Sequence, residues 1–166
     1  RQMCIRDSNK VIEGINKAIS VAEKNYKGLV IGNEGDNFSA GANLGMLFML
    51  AGNREFDEIN FMVQAFQNTM MRARYSSIPV VVATSGLTLG GGTELSMHAD
   101  LVRAHTETYM GLVEFGVGII PSGGGTKEMT LRASNKYNKN DVELNLLQEY
   151  FLQEEILPAS ILTIKD

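Results

Sequence analysis

Two glutamates occupy positions where a carboxylate is costly. Glu94 follows Gly90-Gly91-Gly92-Thr93 directly, and Glu114 lies in the apolar segment Met110-Gly111-Leu112-Val113-Glu114-Phe115. Burial raises a carboxyl pKa toward the working pH, which suits a group that must both give and take a proton. Each glutamate also has a plainer reading. Glu94 fits a hydrogen-bonded residue at a helix start, and Glu114 fits one half of a buried ion pair.

The glycines before Glu94 extend this chemistry. A strand running into Gly-Gly-Gly and then a helix puts bare N–H groups beside the positive helix end, which is an anion site. Glycine lets a ligand carbonyl come close to the main chain, and an amide aimed at it stabilises a developing oxyanion by roughly 10²–10³ in rate per donor. The loop Phe38-Ser39-Ala40-Gly41-Ala42 is a source for a second donor. Taken alone, such loops are more often tight turns than sites. Neither has the spacing of a P-loop or a dinucleotide fingerprint, and Ser122 to Lys127 lacks the Gly-Lys-Ser/Thr order.

The elements that must position these residues follow from periodicity. Val11, Ile12, Ile15 and Ile19 predict a helix from Lys10 to about Asn25, followed by a buried strand over Gly28 to Gly32. A short helix is expected from about Asn43. Ile59, Met62, Val63, Phe66 and Met70 place a longer helix over Arg54 to Tyr75, with Asn53 as its N-cap. The β-branched run Ile78 to Ala83 reads as a strand buried on both faces. Thr93 to His98 then reads as helix, Asp100 to Ala104 and Tyr109 to Met110 as strands, and Ser122 to Gly125 as a third glycine-rich turn. Thr126 to Ala133 and Val142 to Gln153 complete the helices. Helix alternating with strand defines an α/β chain.

Chain totals remove several classes. At 166 residues, 44% hydrophobic and 20% charged, the chain is long enough for one core and is not disordered throughout. A net charge of −4 argues against a general nucleic-acid binder. Cys4 is the only cysteine, so neither a disulfide framework nor a cysteine-ligated zinc site is expected. No run of about 18 apolar residues exists, and no signal peptide is recognisable. A cytoplasmic protein without membrane attachment is the expectation. Residues 1–8 resemble translated sequencing-adapter sequence and are set aside as a non-native leader. Residues 9–153 form one core, and the pattern decays over the tail, 154–166.

These segments resemble the crotonase superfamily. Phe38 to Leu44 matches its first motif, Gly90-Gly91-Gly92-Thr93-Glu94-Leu95 its second, and Glu114-Phe115-Gly116 through Thr126 its third, in the family's order and separations. The resemblance runs from about Lys10 to Ala133. It implies the crotonase-type ββα spiral of the ClpP/crotonase class, truncated here at both ends, with apolar surface left exposed. It implies that the amides of Ala42 and Gly91 form an oxyanion hole for a coenzyme A thioester, with Ala40, Gly41 and Gly90 contacting substrate. Ala40 would lie against the CoA adenine.

Hydratases of the superfamily keep glutamate at both positions matching Glu94 and Glu114. The resemblance therefore implies enoyl-CoA hydratase activity in fatty-acid β-oxidation, with no metal and no redox cofactor. Glu94 would chiefly deprotonate water and Glu114 chiefly protonate the α-carbon. Asn43 stands where the family commonly has aspartate, a position outside the proton transfer. The phrases Ala42 to Met46 and Met70 to Pro79 are similar to the hydratase part of bacterial enzymes fused to a 3-hydroxyacyl-CoA dehydrogenase. Any NAD step would belong to a part of the parent outside this chain. A homotrimer or hexamer is implied for the intact protein. Two rivals stand: a Δ3-Δ2-enoyl-CoA isomerase relying mainly on Glu114, and a non-catalytic acyl-CoA-binding module. His98, His105 and Ser122 are expected to be structural, Asp100 to cap or pair, and Met62, Met70 and Met71 to be core.

Overall fold

The computed structural model describes residues 8–138 and 161–163. The leader assigned to residues 1–8 falls outside them except for Ser8. The helix expected over Val142–Gln153 and most of the 154–166 tail also lie outside.

Apolar residues at helical spacing form α1 (Ser8–Asn25), which buries Ile19 and Ala22. The chain continues through β1 (Leu29–Ile31), α2 (Leu44–Gly52) and α3 (Phe56–Arg74). Next come β2 (Val80–Thr84), β3 (Leu87–Leu89) and α4 (Gly91–His98). Then follow β4 (Leu101–Ala104), β5 (Tyr109–Gly111), a 3₁₀ turn (Glu114–Val117), α5 (Gly125–Asn138) and β6 (Ile161–Thr163). One sheet has the order β1-β2-β4, all parallel. The other has β3-β5-β6, with β3 parallel and β6 antiparallel to β5.

Ile19, Phe38, Met70, Ala73, Val82 and Leu95 form the core where α1, α3 and α4 meet the first sheet. A fully buried aliphatic or aromatic side chain contributes about 1.5–3 kcal/mol. Polar contacts fix how α1 and α3 lie together: Asn16 donates to the buried Thr69 hydroxyl at 2.6 Å, and Arg72 donates twice to Glu23, at 2.5 and 3.1 Å.

The structure corrects four expectations. Asn53 caps the end of α2, its amide donating to Met49 O, and does not cap the start of α3. Arg54, at φ 60°, breaks the helical path, so α3 starts at Phe56. β1 is an edge strand among the described residues, with Val30 69% exposed, because only β2 flanks it. β2 buries Val80, Val82 and Thr84 on one face, while Val81 and Ala83 on the other are only half-buried. Leu87–Leu89 is the strand that runs into the glycines. No helix of the described residues is long and apolar enough to cross a membrane.

The turn between β2 and β3 carries the first loop of the site. Phe38 N–H donates to Ser85 O at 2.8 Å, Ser39 N–H to Leu87 O at 2.9 Å, and Leu89 N–H to Ser39 O at 2.8 Å. Gly86, at φ +56°, makes this turn possible, since a Cβ there would collide with the Asp36 carbonyl oxygen and stand 2.8 Å from Asn37 Oδ1. Gly86→Ala is expected to lower stability by about 1–3 kcal/mol, read as a lower urea midpoint at unchanged slope.

Candidate active site

Glycine at the start of α4 permits a geometry closed to other residues. Gly90 sits at φ +54°, donates its amide to Gly111 O at 2.8 Å, and accepts the first helical bond from Glu94 N at 3.0 Å. The first N–H groups of any helix lack an internal acceptor. Among the described residues the Gly91 amide has none. The first loop lies against it: a Cβ on Gly92 would come within 2.5 Å of Ser39 Cβ, and one on Gly90 within 3.9 Å of Gly41 Cα. The Gly41 amide is held by Ser39 Oγ at 3.3 Å. The Ala42 amide also lacks an acceptor among the described residues, while its carbonyl takes Leu44 N–H at 3.0 Å. Asn43 caps α2 by accepting from Met46 N at 3.3 Å. Ala40 is exposed.

Glu94 is 1% exposed, and no cation forms an ion pair with it among the described residues. Gly125 N–H donates to its Oε1 at 2.8 Å. Burial pushes its pKa up from 4.5 to about 7; the Gly125 amide opposes that rise, and the charge of Glu114 adds to it. Glu114, the first residue of the 3₁₀ turn, is half-buried, and burial raises its pKa too. Among the described residues its Oε2 has no hydrogen-bond partner and it forms no ion pair, so nothing there supports the ion-pair alternative. Glu114 Oε1 would lie 3.0 Å from a Cβ on Gly90, so this carboxylate stands directly over the start of α4. Phe66 of α3 packs against Gly91 and Gly123, a dry wall beside both loops.

The remaining candidates are structural. His98 Nδ1 lies 2.7 Å from Glu94 O. A carbonyl only accepts, so Nδ1 carries the proton and Nε2 is left to accept from Lys127 Nζ at 3.3 Å. Burial lowers the His98 pKa. Asp100 accepts from Val80 N at 2.8 Å, Ser122 offers its carbonyl to Gln67 at 2.7 Å, and His105 is exposed. Met70 is core, whereas Met62 and Met71 are half-buried.

The chain as a whole has counterparts among known proteins. The model of the enoyl-CoA hydratase/isomerase family matches residues 8–143. The chain belongs to that family. Among its relatives is a probable 3-hydroxyacyl-CoA dehydrogenase of Bacillus subtilis (strain 168), 53% identical over 72% of this chain and 15% of that protein. A probable enoyl-CoA hydratase of the same organism is 30% identical over 74% of this chain and 47% of that protein. The crystal structure of an enoyl-CoA hydratase from Polaromonas sp. JS666 superposes with a TM-score of 0.64 at 30% identity, covering 71% of this chain and 46% of that one. The chain thus spans less than half the length of these relatives. Its α/β fold is the crotonase fold.

Of the residues the family resemblance singles out, the structure gathers Glu94, Glu114, Gly90, Gly91 and Gly41 about the start of α4, with Ala42 next along the loop. Sequence reasoning missed what holds Glu94. The third motif carries the Gly125 amide that binds its carboxylate, and Phe66 stands out in the sequence only as part of a helix face. The run of glycines ahead of a helix was the available signal.

The raised pKa of Glu94 has a sign that can be checked. The folded chain keeps a proton that the unfolded chain releases from pH 4.5 upward, so this contribution is complete below 4.5 and is lost as pH rises through about 7. Glu94→Gln stays neutral at every pH. It is expected to exceed wild type in stability by up to about 3 kcal/mol at pH 8 and by little at pH 4.5. Denaturant melts at both pH values test this, and an equal gap at the two would contradict the raised pKa.

Proposed function

We propose that this chain carries the active site of an enoyl-CoA hydratase, which adds water to a trans-2-enoyl-CoA to give a 3-hydroxyacyl-CoA. One observation carries the reading: among the described residues, two glutamates with raised pKa and no ion pair flank a helix start whose Gly91 amide has no acceptor. The Gly91 and Ala42 amides would receive the thioester oxygen as it gains enolate character, and Ala40, Gly41 and Gly90 would contact the CoA and acyl portions.

Ionised Glu94 takes a proton from water as its oxygen bonds to the β-carbon. Neutral Glu114 gives a proton to the α-carbon, and exchange with solvent resets the pair. No step in this sequence calls for a metal or a redox cofactor. The resemblance to the B. subtilis dehydrogenase supports a parent protein that oxidises the 3-hydroxyacyl product elsewhere. A trimeric or hexameric assembly and a cytoplasmic location belong to the same reading.

Loss of the conjugated-thioester absorbance of crotonyl-CoA tests the proposal. Glu94→Gln and Glu114→Gln are each expected to lower kcat by about 10²–10⁴ while the fold is kept. Double-bond migration of a 3-enoyl-CoA without water uptake would replace hydration by isomerisation. Thioester binding by a folded chain with no turnover would leave a binding module.

A further inference from the structure

Thr93 lies between the two glutamate-bearing segments and is 1% exposed. Its hydroxyl has one proton and three backbone neighbours. Thr88 O is 2.5 Å away, Gly111 O 3.0 Å, and Gly111 N donates to Thr93 Oγ1 at 3.1 Å. The nearer carbonyl takes the proton, so Thr93 donates to Thr88 O and accepts from Gly111 N–H. Gly111 O is occupied by Gly90 N–H at 2.8 Å. Both backbone groups of Gly111 are thereby bound to residues 90–93, the stretch that ends at Glu94.

Gly111 is the last residue of β5, and the chain runs from it through buried Leu112 to Glu114. The hydroxyl thus closes a ring at the end of the β3–β5 pair. One arm leads to Glu94 in a single residue, and the other leads to Glu114 in three. Glu114 in turn hangs over Gly90, the residue that shares Gly111 with Thr93. A methyl group of equal size would fill the same space and hold neither strand.

We infer that Thr93 is a positioning residue, whose hydroxyl fixes the spacing between the Glu94 and Glu114 carboxylates by tying the start of α4 to the end of β5. The role rests on the hydratase reading for its effect on rate, but its effect on the carboxylates can be measured without turnover. Loosening the tie lets water reach Glu94 and weakens its interaction with Glu114, so the Glu94 pKa moves back toward 4.5.

The test compares Thr93→Val, Thr93→Ala and Thr93→Ser in the full chain. Thr93→Val and Thr93→Ala are expected to lower kcat for crotonyl-CoA hydration about 10–100-fold with KM within about twofold, as for loss of alignment rather than of binding. In ¹³C-carboxyl NMR, the Glu94 titration midpoint is expected to fall by about one pH unit in both. Thr93→Ser, which keeps the hydroxyl, is expected to restore both values. Wild-type kcat and an unmoved Glu94 midpoint in folded Thr93→Val overturn the role. Unfolding of both Thr93→Val and Thr93→Ala also overturns it, by making Thr93 a stability residue only. Should wild type show no hydration, the hydratase reading fails, and the NMR midpoints alone decide on Thr93.

Discussion

The hydrogen bond from Gly125 N–H to Glu94 Oε1 joins the first residue of one helix to a carboxylate in the first turn of another. It is the closer hold on that side chain, joined by the backbone amide of Gly123, and it reaches a group almost wholly removed from water. A buried carboxylate with only neutral backbone donors, and no cation beside it among the described residues, cannot be fully stabilised as an anion. The glycine turn at 123–125, Phe66 and the end of β5 must all close around it. The arrangement of α3, α4 and α5 therefore answers to this one side chain as much as to the apolar core.

Glu128, on the first turn of α5, shows the opposite treatment of the same residue type. It is equally buried, but Arg74 contacts it at 2.6 Å and Lys127 at 3.1 Å. Burial pushes its pKa up, and the Arg74 and Lys127 contacts outweigh this, leaving it below the ordinary carboxylate value. One glutamate is held charged to fasten α5 to α3, and the other is kept near the point of losing its proton. Their surroundings, not their chemistry, separate a charged anchor from a carboxyl that titrates near neutrality. His98 lies between them, with Nδ1 on the Glu94 carbonyl and its far nitrogen facing Lys127.

Much of the site was legible in the sequence because its parts are local. Gly90-Gly91-Gly92 ahead of Glu94, the small residues from Ser39 to Ala42, and an isolated glutamate in an apolar run each carry their signal within a few positions. The α1 and α3 faces were legible through periodicity for the same reason. What was hidden depends on distant partners. β3 is three residues long, and it is a strand only because Ser39 and β5 lie beside it. The exposure of Val30 reflects a sheet order that no local pattern encodes. Asn53 is a fair cap for either neighbouring helix, and only the left-handed turn at Arg54 shows which one it serves. The carboxylate grip of Gly125 and the reach of Phe66 are likewise matters of tertiary approach.

The parallel pairing of β1 with β2 joins Leu29 to Val80 across about fifty intervening residues, which include two helices. Such a pairing is slow to form, since the loop must close before the sheet rewards it. The start of α4 follows β2 in sequence and packs on the sheet that this closure creates. While the chain is open, Glu94 is solvated and ionised at neutral pH. Closing the sheet therefore takes up part of a proton at neutral pH, so folding of this chain draws hydrogen ions from its surroundings between about pH 4.5 and 7.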